Sequence, residues 1–168
     1  MHARFLRRLN ADWDRVKEVW EPCMQFFASS GWSQDESYAL CMTAQELLEN
    51  AVKYGSFDPT RPTIELTIDV KGPDVTIQVS SPTHANPLSL KKLDDTIQWI
   101  RGYQSPFEAY VEKLKEVSAQ PFVAGESGLG LARVAYEGRC ILDFFVDDAS
   151  SLSISAVYHS AEPQHAKG

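Results

Sequence analysis

Two stretches of alternating apolar and polar residues, 63–71 and 75–81, are rich in β-branched side chains and meet at Gly72-Pro73-Asp74. A period of two places every second side chain on one face, and a Gly-Pro-Asp junction turns the chain back, so the pair predicts an antiparallel hairpin with one apolar face. That face must be covered. The periodicity on both sides of the hairpin predicts what covers it. Residues 10–31 carry Trp13, Val16, Val19, Trp20, Cys23, Met24 and Phe27 at helical spacing, with Asn10 as an N-cap and Gly31 as a stop. Ser33-Gln34-Asp35-Glu36 has the form of a capping box and opens a second helix that runs to about Tyr54, before Gly55.

Beyond the hairpin, a helix is expected from Leu88 to about Tyr103. Ser105-Pro106-Phe107-Glu108 opens another, with proline at the first helical position and glutamate at the third. A loop containing Gly125, Gly128 and Gly130 leads into a short helix carrying Leu131, Val134 and Ala135, which stops near Gly138. Residues 140–146 and 152–158 close the pattern as a second strand pair around a polar turn, and the tail after His159 is expected to fray. The fold class this order predicts is α+β: a two-layer α/β sandwich, with a mixed sheet covered on one face by helices. A single domain over residues 1–168 is expected, with its core at about 10–158, a helical insertion at about 87–120 and a flexible tail at 160–168.

Several classes of function are disfavoured. The net charge is −7 and the pI about 5.1, with lysine and arginine scattered, so nucleic acid is not an expected partner. The densest basic stretch, Arg4, Arg7 and Arg8, fits either a solvated face or part of a docking surface. Cys23, Cys41 and Cys140 make an odd count without a C-x-x-C spacing and read as buried, reduced thiols. No uncharged apolar window approaches the roughly 18 residues of a membrane span, so a cytoplasmic chain is expected, neither exported nor membrane-bound. The histidines His2, His84, His159 and His165 have no metal-ligand spacing, and no serine elbow or Cys/His nucleophile pattern occurs.

Two constellations carry chemistry. Glu46, Asn50 and Lys53 stand at i, i+4 and i+7 on the second helix, while Cys41, Ala44, Leu48, Ala51 and Val52 take the stripe facing the sheet. A carboxamide, a carboxylate and an ammonium on one stripe suit phosphoryl transfer: Asn50 for a hydrated Mg²⁺, Glu46 to orient a nucleophile, Lys53 to neutralise phosphate. The same types also populate solvated helix faces, where Glu49 and Lys53 form an ordinary i, i+4 pair. The second constellation is Gly128-Leu129-Gly130-Leu131, placed before a helix where unobstructed backbone N–H groups can approach phosphate oxygens.

The string from Glu46 to Gly55, with its Glu-x-x-x-Asn-Ala form, resembles the N box of the GHKL ATPase superfamily as found in anti-sigma-factor serine kinases. The string from Gly125 to Leu131 resembles the G2 box that ends the ATP lid, and the hairpin between them is in the family order. The resemblance covers roughly residues 10–158 and implies the Bergerat fold, with a helical hairpin in place of the lid. It also implies ATP and Mg²⁺ as cofactors, with Asn50 as the Mg²⁺ ligand and Glu46 as general base toward a protein hydroxyl. Lys53 and the backbone of Gly125, Gly128, Leu129 and Gly130 would lie at the phosphates.

The family's G1 box should fall at about Ser80, and Ser80-Ser81-Pro82-Thr83 stands there without the aspartate or the glycines. A serine hydroxyl would replace the aspartate only as a weaker, neutral acceptor for an adenine amino group. In lacking a standard G1 box the chain is similar to a subgroup of these regulators, the SiaB-like kinases. The implied function is a regulator of partner-switching type that binds Mg-ATP and phosphorylates serine or threonine on an antagonist or sigma-factor-like protein partner. The alternative is a non-catalytic interaction module of the same fold that has lost nucleotide binding. The residues 87–120 fit a rigid lid, a docking platform or a satellite core, and the resemblance leaves open pairing with a second copy as a homodimer.

Overall fold

The computed structural model describes residues 1–83, 87–120, 129–147 and 150–161. A five-stranded sheet is backed on one face by helices. Its strands are β1 (His2–Asn10), β2 (Thr63–Lys71), β3 (Asp74–Pro82), β4 (Cys140–Val146) and β5 (Ser151–His159), in the order β1-β2-β3-β5-β4. The helices are α1 (Trp13–Lys17), α2 (Trp20–Ser29), α3 (Gln34–Tyr54), α4 (Pro87–Arg101), α5 (Pro106–Ser118) and α6 (Gly130–Tyr136). The two-layer α+β sandwich expected from the sequence is present.

The expectation of a mixed sheet is corrected, because every neighbouring pair is antiparallel. The chain leaves β3, passes through α4, α5 and α6, and sets β4 down at the far edge. The β4–β5 hairpin then returns β5 between β3 and β4, so β3 and β4, which run the same way, are kept apart.

A second correction concerns the N-terminus, where the sequence shows a charged stretch and the structure shows an edge strand. β1 pairs with β2 along its whole length, from His2 opposite Lys71 to Asn10 opposite Thr63. Phe5 is buried, with Ala3 and Leu9 partly so, and on the opposite face Arg8 binds Glu65 at 2.8 Å and Arg4 lies 3.5 Å from Asp69, while the exposed Arg7 sets its guanidinium 4.6 Å from the Phe5 ring centre. Charges on an edge strand discourage pairing with further chains.

The first helix is likewise two helices rather than one spanning 10–31. Asn10 ends β1, and the N-cap is Asp12, whose side chain accepts from the Asp14 N–H at 2.7 Å. Pro22 has no N–H to give to Glu18, and its ring crowds that carbonyl, so the helix restarts at Trp20 with the proline inside its first turn.

α3 is the spine of the helical layer. Its Ser33–Glu36 capping box is formed as expected, and Leu40, Cys41, Ala44, Leu47, Leu48 and Ala51 are buried. Ile64, Leu66, Ile68 and Val70 of β2, Val75, Ile77 and Val79 of β3, and Ile154 and Ala156 of β5 are buried within the same core. Each such aliphatic side chain contributes about 1.5–3 kcal/mol on leaving water, which is what holds α3 on the sheet. Cys23, Cys41 and Cys140 are unpaired and buried, and desolvation pushes the Cys140 thiol up to about 11. Among the described residues no helix is long and apolar enough to cross a membrane.

Candidate functional site

A cleft of about 820 Å³ opens between the C-terminal half of α3, the start of α6, the inner face of the sheet, and α4 and α5. Such a volume suits a cofactor-sized ligand. Glu46, Asn50, Lys53, Ser81, Leu129 and Gly130 all line it. Gly125 and Gly128 lie outside the described residues.

The two constellations meet here. α3 carries Glu46 and Asn50 one turn apart on the stripe facing α6, and Gly130 opens α6 directly against them. A Cβ on Gly130 would stand 3.2 Å from Glu46 Oε2 and 3.4 Å from Asn50 Nδ2. Glycine leaves that gap open. The Asn50 Nδ2 donates to the Glu46 main-chain oxygen at 2.8 Å, which fixes the carboxamide and leaves Oδ1 as its acceptor for a ligand. Lys53, one turn further, is exposed at the cleft with its ammonium 5.2 Å from the centre of the Tyr54 ring.

Glu46 is only 8% exposed. Burial first, and the neighbouring Glu49 carboxylate second, push its pKa above the ordinary glutamate range, while Arg133 pulls it back. A carboxylate so raised is a better proton acceptor than a solvated one. Arg133 was not singled out from the sequence. Its Nη1 donates to Glu46 Oε1 at 3.3 Å and its Nε to Glu137 Oε2 at 2.7 Å. The only local clue was its i, i+4 spacing to Glu137; Glu46 is far off in the chain.

The two serines at the missing G1 position separate. Ser80 does not join the site: it points to the open face of the sheet, where its Oγ lies 2.7 Å from Ser153 Oγ. Ser81, the next residue on the strand, points inward, is 3% exposed and lines the cleft beside Val79, Leu152 and Ile154. The end of β3 that carries it is tied down, since Ser151 Oγ donates to the Ser81 carbonyl at 3.3 Å and the Thr83 N–H to that of Ser150 at 2.8 Å.

α4 and α5 form the outer wall and supply groups the sequence did not mark as cleft residues. Lys91, Lys92, Lys113 and Trp99 line the cleft, with the Lys113 ammonium 5.8 Å from the Trp99 ring centre. Lys91 pairs with Asp95 at 2.6 Å and Lys113 with Glu116 at 3.1 Å. Among the described residues no group of three His, Cys, Asp or Glu side chains could hold a metal. The Asn50 Oδ1 is placed to hold a Mg²⁺ together with water and a ligand's own oxygens, since that ion keeps several waters and takes few protein ligands at phosphate sites. The residues present fit that arrangement.

The class these features define is a two-layer α/β sandwich with a cleft walled on the outside by the helical pair α4 and α5. Within it, the chain is similar to a chain of the SiaB–SiaC complex from Pseudomonas aeruginosa, with a TM-score of 0.70 at 14% identity over 92% of this chain and 88% of that one. No family model and no curated relative matches the sequence. At that identity the likeness establishes the fold.

Proposed function

We propose that this chain is a signalling regulator of the partner-switching type whose cleft binds Mg-ATP and whose helical layer engages a protein partner. The observation that carries the reading is the meeting of Glu46, Asn50 and Gly130 within about 3.5 Å of one point on the cleft wall, which joins the two strings that resemble the N and G2 boxes of GHKL kinases. Asn50 Oδ1 ligates the ion, Lys53 neutralises phosphate charge, and the Leu129 and Gly130 backbone approaches the phosphates. Val79, Leu152 and Ile154 give the base an apolar bed, with Ser81 as its neutral polar partner. Glu46, its proton affinity raised by burial, accepts the proton of a serine or threonine hydroxyl on the partner. Bound Mg-ATP would supply the phosphoryl group, with ADP as the leaving group. That the similar solved chain is part of a two-protein complex supports a protein partner.

A second reading, a non-catalytic interaction module, is favoured by one observation: the position facing the cleft at the end of β3 is Ser81, so the charged acceptor expected for adenine is missing. Isothermal titration separates the two. Mg-ATP and Mg-ADP are expected to give heat with the wild type and none with Asn50→Ala, and a silent wild type removes the nucleotide reading. Transfer of radiolabel from ATP to a co-encoded partner, lost in Glu46→Gln, is the result expected of a kinase; binding without transfer keeps the nucleotide site and removes the kinase step.

A further inference from the structure

Arg133 lies outside both strings that suggest nucleotide binding, yet it holds the central carboxylate of the site. Two of its donors point in different directions: Nη1 to Glu46 Oε1 at 3.3 Å and Nε to Glu137 Oε2 at 2.7 Å. Glu137 Oε1 accepts from the Tyr110 hydroxyl at 3.3 Å. The chain of contacts therefore runs from Glu46 on α3, which lines the cleft, through α6 to Tyr110 on α5.

Only arginine among the cationic side chains offers a planar fork that can bind two carboxylates at once in a fixed geometry, whereas a lysine presents a point charge on a flexible stem. The geometry at Glu46 shows what the fork does. One carboxylate oxygen, Oε1, is occupied by Arg133; the other, Oε2, faces the gap that Gly130 leaves open, 3.2 Å from where a Cβ there would stand. Without the guanidinium, the two methylene groups of the glutamate would let the carboxylate turn among several staggered rotamers. The guanidinium is itself anchored from behind by Glu137, one helical turn further along α6.

We propose that Arg133 is a positioning residue for Glu46: by binding Oε1 it keeps Oε2 turned toward Gly130 and the cleft, and through Glu137 and Tyr110 it ties that orientation to the seat of α5. Its functional weight rests on the reading of Glu46 given above, while its geometry is testable in the ligand-free protein. A partner that shifts α5 thereby acquires a route to the carboxylate.

The test is a set of amide spectra of the ligand-free chain: wild type, Arg133→Lys, Arg133→Met, Glu46→Met, the Glu46→Met/Arg133→Met double variant and Tyr110→Phe. The reporters are the Gly130 backbone amide and the Asn50 side-chain amide, with Leu66 and Ile68 of β2 as a check that the fold is intact. Arg133→Met is expected to move both reporters, Arg133→Lys less than half as far, Tyr110→Phe in the same direction by a smaller amount, and Arg133→Met to add nothing once Glu46 is methionine and offers no acceptor. Reporters that stay in place in Arg133→Met, or that move equally far with and without Glu46, overturn the proposal. Should Arg133→Met fail to fold, Arg133→Lys and Tyr110→Phe decide by the same criteria. A wild type that gives no heat with Mg-ATP defeats the nucleotide reading alone, and these ligand-free spectra still decide what Arg133 does.

Discussion

At Gly130 a single carbon atom decides how much room the cleft wall leaves. A methyl group there would press against Glu46 Oε2 and Asn50 Nδ2 and so disturb the side chains proposed to accept the proton and to hold the ion. The position is the first of α6, where alanine is the better helix former by up to about 1 kcal/mol. Gly130→Ala is therefore expected to keep or slightly raise thermal stability while weakening Mg-ATP binding at least tenfold by titration; loss of stability with unchanged affinity would contradict this. The neighbouring serines give a paired prediction. Ser81→Asp places a charged acceptor in the cleft and is expected to tighten Mg-ATP by about tenfold, the scale of one charge-assisted hydrogen bond. Ser80→Ala, on the opposite face, is expected to leave affinity unchanged. Which of two adjacent serines faces the cleft depends on where the strand sits in the sheet, and the motif spacing alone did not separate them. Arg133 was hidden for a related reason: its contact with Glu46 spans 87 positions, and no local pattern encodes it.

At the scale of elements, what the sequence revealed was what short stretches encode by themselves. The α3 capping box, the Gly72-Pro73 turn of the β2–β3 hairpin, and the Ser105-Pro106 start of α5 all stand where their residue patterns placed them. β1 was not legible, since its arginines suit a strand only once Glu65 and Asp69 of β2 lie beside them. Glu36 shows how α3 is fastened. Burial acts to raise its pKa, but hydrogen bonds from Ser33, Tyr158 and Ser160 outweigh that and hold it below the ordinary value of 4.5. A depressed carboxylate stabilises the fold above its unfolded pKa, and that contribution is lost as pH falls from about 4.5 through the folded value. Glu36→Gln is expected to lower stability at neutral pH by about 1 kcal/mol, with the gap to wild type closing under acid in denaturant titrations. A gap that widened on acidification would contradict the sign. The close approach of α6 to α3 makes a further prediction. A Cβ on Gly138 would collide with Thr43 Oγ1 and the Val134 carbonyl, so Gly138→Ala is expected to cost about 1–3 kcal/mol in denaturant unfolding.

Across the whole molecule the two faces of the sheet do different work. One carries the apolar core and, at the end of β3, opens into the cleft; the other is mostly polar across β1, β2 and β3, where Arg8 pairs with Glu65, Arg4 with Asp69 and Ser80 with Ser153, and apolar toward β4, where Ile141, Phe145 and Val157 are exposed. The cleft is a product of long-range arrangement: β3 and β5 supply its floor, α3 and α6 its polar wall, and α4 and α5 its outer wall with Lys91, Lys92 and Trp99. Amide chemical-shift mapping on addition of Mg-ATP tests that partition most directly. The account predicts shifts at Asn50, Lys53, Ser81 and Gly130 with β1 and Ser80 undisturbed, and it is contradicted by shifts on the open face of the sheet or by a spectrum that does not change.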